Sequence, residues 1–340
     1  MKTVAVARQA MATRFEIVLH GEGEVALRAA AEEALDEIQR LDAQLSLYEP
    51  TSDIRHINRR AAAEPVRVEP ELFRLLQHAE RLCRETGGAF DITVGPLVRC
   101  WGFMRGTGRL PASEALAEAR EKVGMHNVIL NGNESTVRFA HDGMMLDLGS
   151  IGKGYALERA AELLLEAGVT SAILHGGTST VHAIGVPPDA EVWKVALPQP
   201  DFAHQTVAFG PTGFPADATD LLAVVPLKDE AMSVSAVWGK AFEADGRVYG
   251  HVIDPRKGGP VESALMAAVV SSSATESDAF STALLTLGSS GHEQIGTLRD
   301  GLRTLLVGRG GAPARFKTEA KGIELIDAQR FSVGRRVAAP

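Results

Sequence analysis

Residues 144–168, MMLDLGSIGKGYALERAAELLLEAG, constrain the fold more than any other stretch of the chain. They read as a strand, a glycine turn and a helix. A strand that runs through glycines into a helix leaves several backbone N–H groups free, with the positive end of the helix dipole behind them. The flanking segments supply more of both elements. Residues 14–20 read as a strand ending at Gly21, and from Gly23 the apolar positions Leu27, Ala31, Ala34, Ile38, Leu41 and Leu45 mark one face of a helix. Pro70 opens another helix and Gly87-Gly88 closes it. Residues 126–130 and 135–139 flank Asn131-Gly132, a hairpin signal. SAILHGGTSTVHAIG reads as two short strands around Gly176-Gly177; RVYGHVID and ALMAAVVSSS are further strands, followed by a helix from about Thr275 to Leu287. Strands and helices do not alternate strictly, so the expected class is α+β, with mixed or antiparallel sheets flanked by helices.

At 340 residues the chain has room for two domains, or one large one, at ~150 residues each. Seven of the sixteen prolines fall in 187–226, where loops and short edge strands are expected. A net charge of −8 argues against a protein that coats nucleic-acid phosphates. Cys83 and Cys100 are too few for a disulfide scaffold and lack zinc-ligand spacing, and Cys83 falls on an apolar helix stripe as a small buried thiol. No segment has the ~18 apolar residues of a membrane span, and the N-terminus has no long apolar leader core. The expectation is a cytoplasmic protein as written, or a periplasmic one if a leader was removed. The tail FSVGRRVAAP shows no core pattern.

Four clusters carry chemistry. Asp147-Leu-Gly149-Ser150-Ile-Gly152-Lys153-Gly154 holds a lysine inside its glycine turn and suits an anionic, phosphorylated ligand. Its spacing is neither that of a Walker A loop nor GxGxxG, and a turn that merely lets a helix pack on a sheet would look the same. Asp278 and Thr282 are four apart, so on a helix they offer a carboxylate and a hydroxyl to one point. Oxygen ligands suit a hard cation such as Mg²⁺; the alternative has Thr282 packing and Asp278 stabilised near a helix N-terminus. In Tyr249-Gly250-His251-Val-Ile-Asp254-Pro255-Arg256-Lys257-Gly258, His251 is a candidate base, Arg256 an anion ligand and Asp254 a turn former, against a purely structural histidine. Thr86-Gly-Gly-Ala89-Phe90-Asp91-Ile-Thr93-Val-Gly95-Pro96-Leu97, with Trp101-Gly-Phe103, either brings backbone close to a flat ligand or is a plain connector. HExxH, paired CxxC and GxSxG are absent from the sequence.

Taken together and in this order, the clusters resemble the ApbE-type flavin transferases (FAD:protein FMN transferases) from about Met11 to about residue 310. Met11-Ala-Thr13, Leu45-Ser46-x-Tyr48, Ser52, Asn58 and Gly176-Gly177 add to the match. The resemblance implies one large T-fold-like unit over 1–340, with the flavin site between two lobes. It implies Mg²⁺-dependent transfer of FMN from FAD to a threonine hydroxyl of a target flavoprotein, releasing AMP. FAD as substrate and a threonine-bearing acceptor as partner come with it. Residue by residue, it puts Met11, Tyr48, Ala89, Phe90, Asp91, Asp147, Lys153 and His251 in the FAD pocket. It makes Asp278, Thr282 and the Ser150 carbonyl metal ligands, and gives His251 and Asp278 the catalytic roles. Phe90 and Tyr48 offer aromatic faces to the ligand rings.

The alternatives are an FAD pyrophosphatase, with water in place of threonine, and a flavin-binding paralogue without catalysis. Retention of Asp278, Thr282, Lys153 and His251 favours an enzyme, because binding alone does not need the metal pair. The sequence departs from the family pattern at Ala12 and Ala236, where glycine is common. It also departs at Thr178, where an acidic or amide residue is usual, and at Lys257, where threonine is usual.

Overall fold

A computed structural model describes residues 1–104, 106, 108–200, 221–309 and 316–326; the tail FSVGRRVAAP and part of the proline-rich stretch lie outside the described residues. Eight strands form the main sheet: β1 (Lys2–Ala10), β2 (Thr13–Gly21), β3 (Ser171–Gly176), β4 (Thr180–Gly185), β5 (Ala231–Ala236), β6 (Ala264–Ser271), β7 (Arg303–Arg309) and β8 (Phe316–Lys321). Each pairs antiparallel with the next, so order in space is order in the chain. β1 has no counterpart among the segments read from the sequence. Its period of two is short, with only Val4, Val6 and Ala10 buried.

Helices α1 (Glu24–Leu45), α2 (Pro70–Glu85), α3 (Gly152–Glu166) and α4 (Ala274–Leu287) follow the expected boundaries within a few residues. α1, α3 and α4 lie side by side on one face of the sheet. The antiparallel pair Trp193–Pro198 and Leu221–Leu227, inside the proline-rich stretch, covers the other face. β6 is therefore buried on both sides: Ala267 and Val269 join the helical core, while Met266, Ala268 and Val270 join the second cluster. That is why it reads as an unbroken apolar run rather than an alternating one. A third, aromatic cluster joins Leu97, Trp101 and Phe103 to Ile253, Phe242 and Tyr249. Trp101 Nε1 donates to the Gly258 carbonyl at 2.8 Å, tying the connector after α2 to the turn after His251. The α+β expectation is borne out.

The strand expected at the head of the glycine turn does not form: residues 144–148 sit in no ladder, and the Asn58 side chain takes the backbone groups of Leu146 instead. Its Nδ2 donates to the Leu146 carbonyl at 2.9 Å and its Oδ1 accepts from Leu146 N–H at 2.7 Å. The hairpin expected around Asn131-Gly132 forms and closes on the four residues 132–135. Asn131 pairs with Thr136, and its side chain accepts from Asn133 N–H at 3.1 Å.

A charged clamp fixes the lower part of α4. Glu276, 8% exposed, is bonded by His78 at 3.2 Å from α2 and by Arg299 Nε at 2.9 Å, and Arg299 also reaches Glu85 at 2.7 Å. Burial alone would raise the Glu276 carboxyl, but the bonds from His78 and Arg299 outweigh it and hold the group down to about 2. A depressed carboxyl stabilises the fold above its unfolded pKa and loses that contribution as pH falls through the folded value. The clamp is expected to add about 3 kcal/mol at neutral pH, fading between about pH 5 and pH 2. Denaturant titration of the protein and its Glu276→Gln variant over that range checks this, since the gap between them should shrink with acid.

Candidate functional site

Every cluster singled out in the sequence ends near one end of the sheet. The β1–β2 turn, the β3–β4 turn, the end of β5 and the start of β6 lie there by register. α1, 22 residues and about 33 Å long, starts at the opposite end and returns the chain to Tyr48. Met11 and Ala12 are the two residues between paired Ala10 and Thr13, with φ of 49° and 58°. This is the left-handed hairpin geometry that favours glycine, so the alanine at position 12 carries backbone strain. Ala12→Gly is expected to stabilise the fold by about 1 kcal/mol, read as a rise in denaturation midpoint. Against this turn lies Gly177, whose N–H donates to the Arg14 carbonyl at 3.0 Å; a Cβ there would overlap Thr13 Oγ1. Thr178 beside it is exposed.

Helices α3 and α4 run antiparallel and cap each other. Asp278 Oδ2 on α4 accepts from Gly154 N–H on α3 at 2.9 Å. Glu158 Oε2 on α3 accepts from Ser273 Oγ at 2.6 Å and Thr275 N–H at 2.8 Å at the start of α4. The approach depends on Gly154: a Cβ there would overlap the Ala274 carbonyl oxygen and come 2.7 Å from Asp278 Cβ.

The expected cradle of free N–H groups is mostly spent. Ile151 and Gly152 N–H donate to the Leu148 carbonyl at 3.1 and 2.8 Å, and Gly154 N–H goes to Asp278. What the turn leaves instead is an acceptor. Gly154 N–H would ordinarily bond Ser150 in a helix; with that donor turned to Asp278, the Ser150 carbonyl accepts no hydrogen bond among the described residues. Thr282 Oγ1, one turn after Asp278, lies 3.1 Å from Ser235 Oγ at the end of β5.

Beside these oxygens sits a polar group. Burial pushes the Asp147 carboxyl up, against the Gly149 N–H at 2.9 Å and the ammonium groups of Lys240 and Lys153. Tyr48, 55% exposed, has its hydroxyl raised by burial and by Asp147. Burial lowers the His251 imidazole; the Lys240 backbone opposes this, and the Lys240 and Lys153 charges add to it. Its Nδ1 is buried without a hydrogen-bond partner among the described residues. Lys153 Nζ is 3.5 Å from the Gly149 carbonyl.

The remaining predicted residues face inward. Asp91 is 6% exposed; its Oδ1 accepts from Thr93 N–H at 2.8 Å and Thr93 Oγ1 at 2.6 Å, and its Oδ2 from Met125 N–H at 3.2 Å. Burial raises its carboxyl against those bonds. Ala89 and Phe90 are each 1% exposed, so of the two aromatic faces Tyr48 is the open one. The Ile92 carbonyl accepts from Asp147 N–H at 2.7 Å, which ties this connector to the glycine turn. Arg256 is not free for an anion: its Nε and Nη2 pair with Asp254 at 2.9 and 2.8 Å, and its N–H closes the turn on Asp254 Oδ1 at 3.0 Å. Lys257 is exposed, 3.9 Å from Asp254.

A sequence model of the ApbE family matches residues 11–306. The chain belongs to the ApbE family. Among its ApbE relatives, the FAD:protein FMN transferase of Klebsiella pneumoniae is 28% identical over 277 residues, covering 79% of this chain and 73% of that protein. That of Escherichia coli K12 is 28% identical over 282 residues, covering 82% and 75%. The crystal structure of the Thermotoga maritima ApbE protein superposes with a TM-score of 0.79 at 27% identity, covering 93% of this chain and 96% of that one. The apo flavinyl transferase ApbE of Pseudomonas stutzeri gives 0.77 at 27%, covering 94% and 95%.

Sequence reasoning missed Lys240 and Ser235. Both lie in the run SVSAVWGK, and the alternation of Ser233 and Ser235 with apolar residues was the available signal for a strand turned toward something polar.

Proposed function

We propose that this transferase moves FMN from FAD to a threonine hydroxyl of an acceptor flavoprotein, with Mg²⁺ bound and AMP released. The relatives' activity comes with the family match. Within the chain, the observation that carries the reading is the oxygen set where α3 meets α4. One Asp278 oxygen has no hydrogen-bond donor among the described residues, the Ser150 carbonyl is released from its helix bond, and the Thr282 hydroxyl is one turn away. Such a carboxylate, carbonyl and hydroxyl fit a hard cation. Asp278, Thr282 and the Ser150 carbonyl would hold it, and it would supply charge neutralisation on the pyrophosphate.

The chain's own groups account for the rest. Lys153 binds phosphate oxygens. Met11, Tyr48, Ala89, Phe90, Asp91 and Asp147 shape the FAD pocket, Tyr48 as an open aromatic face and Asp91 by holding its connector in place. His251, kept neutral by burial, takes the proton of the incoming threonine as its oxygen bonds to phosphorus and the pyrophosphate link breaks toward AMP. A lowered imidazole stays unprotonated to lower pH, so the acid limb of kcat/KM is expected below the ordinary imidazole value and should disappear in His251→Ala.

Incubation with FAD and Mg²⁺, with and without an acceptor flavoprotein domain, tests the reading through AMP release and acceptor mass together. AMP with an FMN adduct on threonine is expected. Free FMN without adduct would replace transfer by hydrolysis, and bound FAD without AMP would leave a binding protein.

A further inference from the structure

We infer that Ser235 is a positioning residue that aims the Thr282 hydroxyl at the cation; the inference rests on the cation reading above. Two rungs of hydroxyls join β5 to α4. In the lower rung, Ser233 Oγ lies 2.9 Å from Ser277 Oγ and 3.4 Å from Thr180 Oγ1. In the upper one, Ser235 Oγ lies 2.8 Å from Ser281 Oγ and 3.1 Å from Thr282 Oγ1. Only the upper rung touches the oxygen set of the site.

Counting protons gives the upper rung a direction. Each hydroxyl has one proton to donate. Of the two proton orders the contacts allow, the one with the shorter bonds has Ser281, fully buried, donate to the Asp278 carbonyl at 3.0 Å; the reverse order would leave the Thr282 proton only the 3.4 Å contact to that carbonyl. With that proton used, Ser281 Oγ serves Ser235 as an acceptor at 2.8 Å. Ser235 then has lone pairs, and no proton, to offer Thr282. The Thr282 proton therefore points to Ser235. Its only other protein acceptor among the described residues is the Asp278 carbonyl, at a poorer 3.4 Å.

A neutral hydroxyl ligates a cation through a lone pair, and it can do so only with its proton held elsewhere. Ser235 holds it, and in doing so selects the rotamer of a side chain that is only half-buried. Partners of this kind behind a metal ligand change cation affinity about 10–100-fold when removed.

The test is Mn²⁺ titration of the purified protein without FAD, followed by electron paramagnetic resonance, with Mg²⁺ as competitor. Ser235→Ala is expected to weaken Mn²⁺ about tenfold or more while its melting stays close to that of the unsubstituted protein. Ser235→Thr, which keeps the hydroxyl, is expected to restore it. Ser233→Ala removes a rung of the same kind without touching Thr282, and is expected to leave Mn²⁺ affinity unchanged. Equal losses in Ser233→Ala and Ser235→Ala would make the ladder simple packing and overturn the inference, as would unchanged affinity in Ser235→Ala. Absence of Mn²⁺ binding by the unsubstituted protein would instead remove the cation reading itself.

Discussion

Asp278→Ala is expected to lower Mg²⁺-dependent AMP release by about 100-fold or more, the loss that follows removal of one preorganised charged group from a reacting centre. The carboxylate does two separable things. One oxygen accepts the Gly154 N–H and so caps α3; the other has no hydrogen-bond donor among the described residues and is the one proposed to ligate the cation. Asp278→Asn keeps an acceptor for Gly154 and loses the charge. Both variants are therefore expected to be inactive, but only alanine should lower stability, by about 1 kcal/mol for the lost cap. AMP release and denaturation measured on the pair separate the two roles. Full activity in the asparagine variant would end the assignment of Asp278 as a cation ligand.

Gly154→Ala is expected to destabilise the fold by about 3 kcal/mol and to weaken cation binding with it. Helix propensity alone predicts the opposite, since alanine is the better helix former by about 1 kcal/mol. Packing wins because the added Cβ would overlap a backbone oxygen, that of Ala274, which cannot turn aside as a side chain could. Relief requires α3 and α4 to separate, and Asp278 is carried on the surface that moves. Denaturant unfolding and Mn²⁺ titration of the variant measure both effects; wild-type stability would show that the helices shift at little cost.

Much of this was legible in the residues, for identifiable reasons. α1 and α2 announce themselves because each buries one face only, so their apolar positions repeat with the helical period. The Asp278–Thr282 pair is visible because helical spacing places i and i+4 together. What stayed hidden depends on distant partners. Nothing local in residues 144–148 says that the Asn58 side chain will take the backbone groups of Leu146. The glycine turn looked like an anion cradle because its N–H groups were counted before their acceptors were known, and Leu148 and Asp278 take them. Arg256 looked free because its partner is two residues away in sequence, where a turn rather than a helix face decides the contact.

The mutual capping of α3 and α4 bears on how the protein opens. Withdrawing Asp278 leaves the Gly154 N–H of α3 without its acceptor, and withdrawing Glu158 does the same to the Thr275 N–H of α4, so separating the helices exposes an unpaired donor on each. The two helices should then behave as one unit of local unfolding. In native-state hydrogen exchange the amides of Gly154 and Thr275, 121 residues apart in the chain, are expected to share one opening free energy. A cation bound as proposed, between α4 and the Ser150 turn that leads into α3, should slow the two together.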